Sequence, residues 1–313
     1  MPWADLHPHL VWTLGGIFAL LAVASLSTAL LSWRHPEQDW MELRQRVRTW
    51  WLMATVFAVA MTLGRTVSLV FFACISFLAL KEYLSMIPTR RADRRVLFWS
   101  YLAIPLQYWW AGREWYGMFI IFIPVYVFLF LPMRMVLIGD TRGFLSAVGT
   151  LHWGLMTTVF SLSHLAYLLT LPTSGNPNGG GPALALYLVL LTQLNDVSQY
   201  VVGKTFGARK VAPTVSPGKS LEGLLGGVGV TTVLAVAMAP WLTPFGLLEA
   251  VLAGILISLA GFAGDLTISA VKRDLGLKDT GQLLPGHGGI LDRVDSISYT
   301  APLFFHFTFY LHF

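Results

Sequence analysis

The sequence contains few charged residues, and this scarcity excludes an ordinary soluble domain. Asp, Glu, Lys and Arg make up 12% of the 313 residues, whereas hydrophobic residues make up 55%. A soluble domain carries about a quarter charged residues, because its surface faces water. Apolar runs of about 20 residues, the length that crosses a bilayer, occur at 10–33, 118–137 and 183–202. The sequence therefore predicts an integral membrane protein.

Cysteine is almost absent. Cys74 is the only one in the chain, so a disulfide within the chain and a site built on several thiols are excluded. The chain also lacks an internal repeat of about 20 to 50 residues and a soluble segment of domain size between its apolar runs. Its chemistry must therefore lie in short loops and at helix ends.

Interruptions by Pro, Gly and charged residues divide the apolar runs into about ten helices. We therefore expect an all-α, polytopic membrane fold. We divide it into N-terminal transmembrane helices of unassigned role (1–148) and a C-terminal catalytic region (149–313) with loops 204–220 and 272–293. The predicted helices are 10–33, 49–64, 66–87, 96–111, 117–137, 149–171, 183–203, 221–239, 245–270 and 294–312.

Lys and Arg are concentrated in alternate loops of this plan. Nearly all of the 21 basic residues fall in one set of loops, and only Arg65 and Arg113 fall in the opposite set. Because cytoplasmic loops carry an excess of Lys and Arg, we expect the basic loops to be cytoplasmic and both termini to be non-cytoplasmic. The tight connection at Gly64 leaves open a re-entrant hairpin, which would not change this orientation.

The segment 261–296 combines carboxylates, basic residues and glycines, which is unusual for a membrane loop. Helical spacing places Asp265 on one face with Ser269 and two basic residues. An ionised Asp in hydrocarbon costs about 3 kcal/mol, so Asp265 needs a cation or a water-filled cavity beside it. The segment contains three carboxylates, Asp265, Asp292 and Asp295, and four basic residues, Lys272, Arg273, Lys278 and Arg293.

Oxygen ligands without thiols suit Mg²⁺, which binds carboxylates together with substrate phosphates. We therefore predict Asp265, Asp292 and Asp295 as metal ligands, and a second cation stays open. The basic residues supply the positive charge that a polyphosphate requires, and Gly288 and Gly289 allow backbone amides to approach phosphate oxygens. These features indicate a metal-dependent site for a nucleoside triphosphate.

A second polar segment lies at 195–227. We interpret Ser216, which stands before Pro217, as a helix N-cap that presents a positive helix end to an anion. Gly218-Lys219-Ser220 is similar to the end of a P-loop, but Pro213 stands where that motif requires its first glycine. The predicted substrate-binding residues of this segment are Asp196, Lys204, Ser216, Lys219 and Ser220.

The two segments together resemble the signature of a known family, the CDP-diacylglycerol synthases or phosphatidate cytidylyltransferases. The resemblance covers about a third of the chain, all of it C-terminal, and implies CTP and a phosphatidate-like acceptor as substrates. It also implies a divalent metal at Asp265 and Asp292, and a homodimer. The matching residues are Ser269-x-Val271-Lys272-Arg273, Lys278-Asp279, Pro285-x-His287-Gly288-Gly289 and Asp292-Arg293-x-Asp295.

We expect the enzyme to transfer CMP from CTP to a lipid phosphate and to release pyrophosphate. The site should lie at the cytoplasmic side of the C-terminal helices, in a bacterial inner membrane, with membrane lipid as a partner and no nucleic acid. The predicted catalytic residues are Asp265, Asp292, Lys272, Arg273 and His287. The predicted substrate-binding residues of the 261–296 segment are Ser269, Lys278, Asp279, Gly288, Gly289 and Arg293.

Two alternatives stay open. The same chemistry on another lipid or polyprenyl phosphate is favoured by Gln199, which precedes Tyr200 where the family pattern has alanine, and which places the chain in a divergent branch. An ion-coupled transporter would use Asp196, Asp265 and His164 as a pathway. The sequence has no inverted repeat and concentrates its polar residues at one membrane face, which favours the enzyme.

Overall fold

The computed structural model describes residues 7–37, 39–88, 94–281, 283 and 288–313. Over these residues the chain forms ten continuous helical runs and an isolated β-bridge between Lys210 and Ser220, and no strand. The helices are α1 Pro8–Arg34, α2 Met41–Thr62, α3 Arg65–Met86, α4 Arg94–Gly112, α5 Tyr116–Val136, α6 144–168, α7 Gly180–Phe206, α8 Leu221–Leu242, α9 Leu247–Asp274 and α10 Leu291–His312. The all-α prediction is confirmed for this part of the chain.

Five of the described helices, α1, α3, α5, α8 and α9, are long and apolar enough to cross a membrane. The other helices carry more polar residues. In α7 these include Asp196, in α10 they include Asp292 and Asp295, and in α2 they include Arg44, Arg46 and Arg48 near its start. Crossing of the membrane by all ten helices stays a prediction.

Two helices contain a π-helical segment. In α5 the segment is Phe122–Val127, where Pro124 lacks the backbone N–H that a regular helix uses. In α6 the segment is Met156–Phe160, and the hydroxyls of Thr157 and Thr158 donate to backbone carbonyls four residues earlier. Such hydroxyl bonds compete with the helical ladder and bend it.

Contacts at helix ends and in the α6–α7 connection define the first of the two ends of the bundle. At the first, Nδ1 of His9 lies 3.0 Å from the carbonyl oxygen of Trp241, and Asn176 donates to the carbonyl of Leu242 at 2.9 Å. His312 lies at the same end, 3.3 Å from Glu249. This terminal end therefore holds both described chain ends. The opposite end, which we call the site end, holds the α7–α8 and α9–α10 connections.

The four C-terminal helices, α7 to α10, pack most extensively against one another. A single cluster of buried apolar side chains continues from them into α3, α4, α5 and α6, so it draws on both the 1–148 and the 149–313 regions. Helix α1 lies outside this cluster, and only 6% of its most apolar window is buried. The site end is thus formed by the connections between helices that pack extensively against one another.

Helix α8 begins at Leu221, the start of the predicted helix 221–239, and not directly after Ser216. Its N-cap is Ser220, whose Oγ accepts a hydrogen bond from the amide of Gly223 at 3.1 Å. The interpretation of Ser216 as the N-cap is wrong. The two arms of the preceding loop pair with each other, because the amide of Val211 donates to Lys219 and the amide of Leu221 donates to Arg209. This pairing holds 216–219 in a turn outside the helix.

Candidate active site

Asp265 of α9 forms an ion pair with Lys219 from the α7–α8 connection. The Lys219 ammonium lies 2.6 Å from Oδ2 of Asp265, and Ser269, one turn later on α9, donates to Oδ1 at 3.1 Å. The same ammonium lies 5.4 Å from the ring centroid of Phe262. The sequence predicted either a cation or a water-filled cavity beside Asp265, and the Lys219 ammonium is such a cation. The pair brings the two polar segments together.

Lys219 also connects to a buried hydrogen-bond network of amides and hydroxyls. Its ammonium donates to Oε1 of Gln199 at 3.4 Å, and the Gln199 amide donates to Oδ1 of Asn195, one turn earlier on α7, at 3.1 Å. That oxygen also accepts from Thr231 on α8 at 3.1 Å and from Ser258 on α9 at 2.6 Å. Because three donors converge on this oxygen, the orientation of the Asn195 and Gln199 amides is determined, and Gln199 presents its oxygen to Lys219.

Asp292, in the first turn of α10, uses both carboxylate oxygens. Oδ1 accepts from the Lys272 ammonium at 2.7 Å. Oδ2 accepts from the amide and the hydroxyl of Thr280, each at 2.9 Å, and from the amide of Gly289 at 3.1 Å. Gly288 has a positive φ of 80°, and a Cβ there would lie 2.6 Å from the same carboxylate. The backbone at Gly288 and Gly289 is therefore folded against Asp292.

Two further carboxylates surround this centre. Asp196 on α7 accepts a hydrogen bond from the Ser296 hydroxyl on α10 at 3.1 Å, and the neighbouring Asp295 accepts from the Ser296 amide at 2.7 Å. Among the described residues, the buried Nε of Arg293 has no hydrogen-bond partner. A buried guanidinium donor without a partner is costly and suits an anionic ligand, because Arg binds phosphate in a fork.

The donor set fits a hard cation only in part. Carboxylate oxygens suit Mg²⁺, which commonly binds one or two of them together with substrate phosphates. However, the described residues contain no group of three or more His, Cys, Asp or Glu side chains arranged to hold a metal. Asp265 is paired with Lys219 and Asp292 with Lys272, so metal binding would require each lysine to turn toward the phosphates. The metal assignment stays a prediction.

The other predicted residues occupy varied places. Arg273 donates to the carbonyl of Val215 at 3.1 Å, which ties α9 to the α7–α8 connection. Ser220 is buried as the N-cap of α8. His287 lies outside the described residues. Three more predicted residues, Lys204, Lys278 and Asp279, are exposed.

Sequence reasoning assigned no role to Glu82, on α3, which the structure brings to this site. Its Oε1 accepts from the amide of Ile290 at 2.9 Å, and its Oε2 accepts from the amide of Leu291 at 2.8 Å. The hydroxyl of Thr280 lies 3.3 Å from Oε2. The sequence offered one signal for it, because the Lys81-Glu82 pair ends an apolar run. A charged pair at the end of a helix is common, so this signal alone does not indicate a functional residue.

The chain matches the model of one protein family over residues 44–311, and that family is described as the cytidylyltransferase family. An Escherichia coli (strain K12) protein named "Uncharacterized protein YnbB" is 48% identical over 298 residues, which cover 95% of this chain and 98% of that protein.

Phosphatidate cytidylyltransferases match over shorter stretches. The one from Haemophilus influenzae is 43% identical over 136 residues, or 42% of this chain and 47% of that protein. The one from Synechocystis sp. is 46% identical over 113 residues, or 36% of this chain and 38% of that protein. This chain therefore aligns with less than half the length of each of these two relatives.

Proposed function

Because the chain belongs to the cytidylyltransferase family, we propose that this nucleotidyltransferase transfers CMP from CTP to phosphatidate, giving CDP-diacylglycerol and pyrophosphate. The observation that carries the proposal is the juxtaposition of two lysine–carboxylate pairs, Lys219 with Asp265 and Lys272 with Asp292, at one end of an apolar helical bundle. A lipid phosphate and a nucleotide can meet only where membrane and water adjoin, which is the position of a helix-bundle end.

The reaction requires little covalent help from the protein, because a phosphate is already ionised at neutral pH. An oxygen of the lipid phosphate attacks the α-phosphorus of CTP, the bond from that phosphorus to the bridging oxygen breaks, and pyrophosphate leaves. Lys219 and Lys272 would exchange their carboxylates for phosphate oxygens when the substrates bind. Arg273 and Arg293 would add positive charge, and the Nε of Arg293, which has no hydrogen-bond partner among the described residues, would be free to bind an anion.

A divalent cation would neutralise phosphate charge and polarise the phosphorus centre. In this proposal Asp265, Asp292 and Asp295 hold Mg²⁺, and the carboxylate chemistry supports that choice. We further propose that the site end faces the cytoplasm of a bacterial inner membrane, where CTP is available, and that the enzyme acts as a homodimer.

A second candidate is the same transfer to a different lipid phosphate or a polyprenyl phosphate. The contact between Gln199 and Lys219 favours it, since a side chain larger than alanine beside a phosphate-binding lysine changes the space open to the acceptor.

A transport pathway has less support. His164 lies among the aromatic rings of Phe119, Phe160 and Phe305, and its Nδ1 bonds the carbonyl of Phe160.

The test is an acceptor panel in mixed micelles with purified protein and radiolabelled CTP. Phosphatidate, a polyprenyl phosphate and a neutral diacylglycerol control are compared, and both pyrophosphate and the labelled lipid are measured. We expect CDP-lipid and pyrophosphate in equal amounts with phosphatidate. Label transfer to the polyprenyl phosphate alone would establish the second candidate. An absence of pyrophosphate with every lipid phosphate would show that the proposal is wrong.

A further inference from the structure

The N-terminus of α10 is held by a carboxylate from a distant part of the chain. The first amides of a helix have no partner within it. In α10 the N-cap residue is Ile290, whose apolar side chain makes no capping hydrogen bond to them. Glu82 fills this role from α3, because its two oxygens accept from the amides of Ile290 and Leu291 at 2.9 and 2.8 Å. Its negative charge also complements the positive end of the helix dipole.

Glu82 is connected to Asp292 through one residue. The Thr280 hydroxyl lies 3.3 Å from Oε2 of Glu82 and 2.9 Å from Oδ2 of Asp292, and Thr280 is buried. The two carboxylates therefore share a hydroxyl. A change at Glu82 reaches Asp292 both through this hydroxyl and through the first turn of α10, where Asp292 follows Leu291.

Two glycines of the α9–α10 connection, Gly281 and Gly289, lie against Glu82. A Cβ at Gly289 would collide with the Glu82 carboxylate and the Thr280 hydroxyl, and a Cβ at Gly281 would lie 3.0 Å from Oε1 of Glu82. Glycine at these two positions thus allows the backbone to approach the carboxylate closely. The close fit indicates that the backbone at Gly281 and Gly289 packs against Glu82, as that at Gly288 packs against Asp292.

We propose that Glu82 is a positioning residue for cytidylyl transfer, which sets the start of α10 and hence the Asp292 carboxylate in the geometry that transfer requires. This inference rests on the proposed function and assigns a role to the N-terminal region. Among the described contacts, Glu82 touches neither Lys219 nor Asp265. Its replacement should therefore slow the chemical step more than it weakens substrate binding.

The test compares Glu82→Gln and Glu82→Asp in the full-length protein with Glu42→Gln, a control on α2 where Glu42 forms an exposed pair with Arg46. Gln keeps the size of the side chain but loses the charge and one acceptor oxygen. Because misplacement of about 1 Å can lower turnover by about 100-fold, we expect Glu82→Gln to lower kcat by about 10- to 100-fold. KM for CTP and for the lipid should stay within about threefold of wild type, and Glu82→Asp should retain more turnover than Glu82→Gln.

A second readout is independent of catalysis. Hydrogen exchange of the amides at Ile290 and Leu291 should be faster in Glu82→Gln than in wild type or in Glu42→Gln, while exchange in the middle of α9 stays the same. Equal exchange in all three proteins, or wild-type turnover in Glu82→Gln, would show that the inference is wrong. If wild type consumes no CTP with any lipid phosphate but exchange still rises, the proposed function fails and the anchoring of α10 by Glu82 stands.

Discussion

The ammonium of Lys219 lies 2.6 Å from the carboxylate of Asp265. This ion pair joins the α7–α8 connection to α9. The pair is partly buried, with side-chain exposures of 18% and 25%. In the sequence these residues belong to two separate polar segments. The structure makes them parts of one site, so the effects of changing them should depend on each other.

This dependence can be measured in a double-mutant cycle of Lys219→Met and Asp265→Asn. Each single change should lower the free energy of unfolding by about 1–3 kcal/mol, because it leaves the other group without its partner. The double change should cost less than the sum of the two. Unfolding in detergent micelles gives the values, and the exposed pair of Glu42 and Arg46 serves as the control, with an expected coupling below about 0.5 kcal/mol. Strict additivity at Lys219 and Asp265 would contradict the pairing.

Asp265→Asn and Asp292→Asn should each lower kcat/KM by roughly 100-fold or more, because an amide retains the shape but not the charge that holds a cation beside phosphates. Asp274→Asn, at the exposed end of α9, is the control and should keep wild-type turnover. The measurement is pyrophosphate release at a series of Mg²⁺ concentrations. If Asp292→Asn worked normally at limiting Mg²⁺, its assignment as a metal ligand would be wrong.

Asn195→Ala should destabilise the fold, because three donors lose one shared acceptor in a fully buried place. The expected loss in the free energy of unfolding is about 1–3 kcal/mol. Thr205→Ala is a suitable control, since its exposed hydroxyl bonds only the backbone carbonyl of Val201, and its expected effect is within about 0.5 kcal/mol. Similar stabilities of the two variants would argue against the buried hydrogen-bond network that ends at Lys219.

The orientation in the membrane can be tested with single cysteines. In a Cys74→Ser background, Ser174→Cys lies in the α6–α7 connection and Asp274→Cys at the end of α9. An impermeant maleimide added to intact cells should label the first, because the terminal end is proposed to be outside. It should label the second only in inverted vesicles. Labelling of both from one side would overturn the arrangement.

Several features of the fold follow from local sequence alone. Apolar runs and their interruptions predicted the ten helices that the described residues form, because a helix satisfies its backbone bonds internally in a membrane. The boundaries were less well predicted. Helix α2 begins at Met41, whereas the predicted helix began at residue 49. The prediction followed apolar residues, and the first two turns of α2 are rich in arginine.

For the site, the sequence by itself determined which residue types were present and which ones a helix would align, as with Asp265 and Ser269, because helical spacing is a local property. Only the tertiary structure decided their partners. Lys219 opposite Asp265, the acceptor role of Asn195 and the reach of Glu82 to α10 all depend on how helices far apart in the chain pack together. Loop pairing likewise placed the N-cap at Ser220 and not at Ser216, because hydrogen bonds between the two arms of the loop outweighed the local capping preference of a Ser-Pro step.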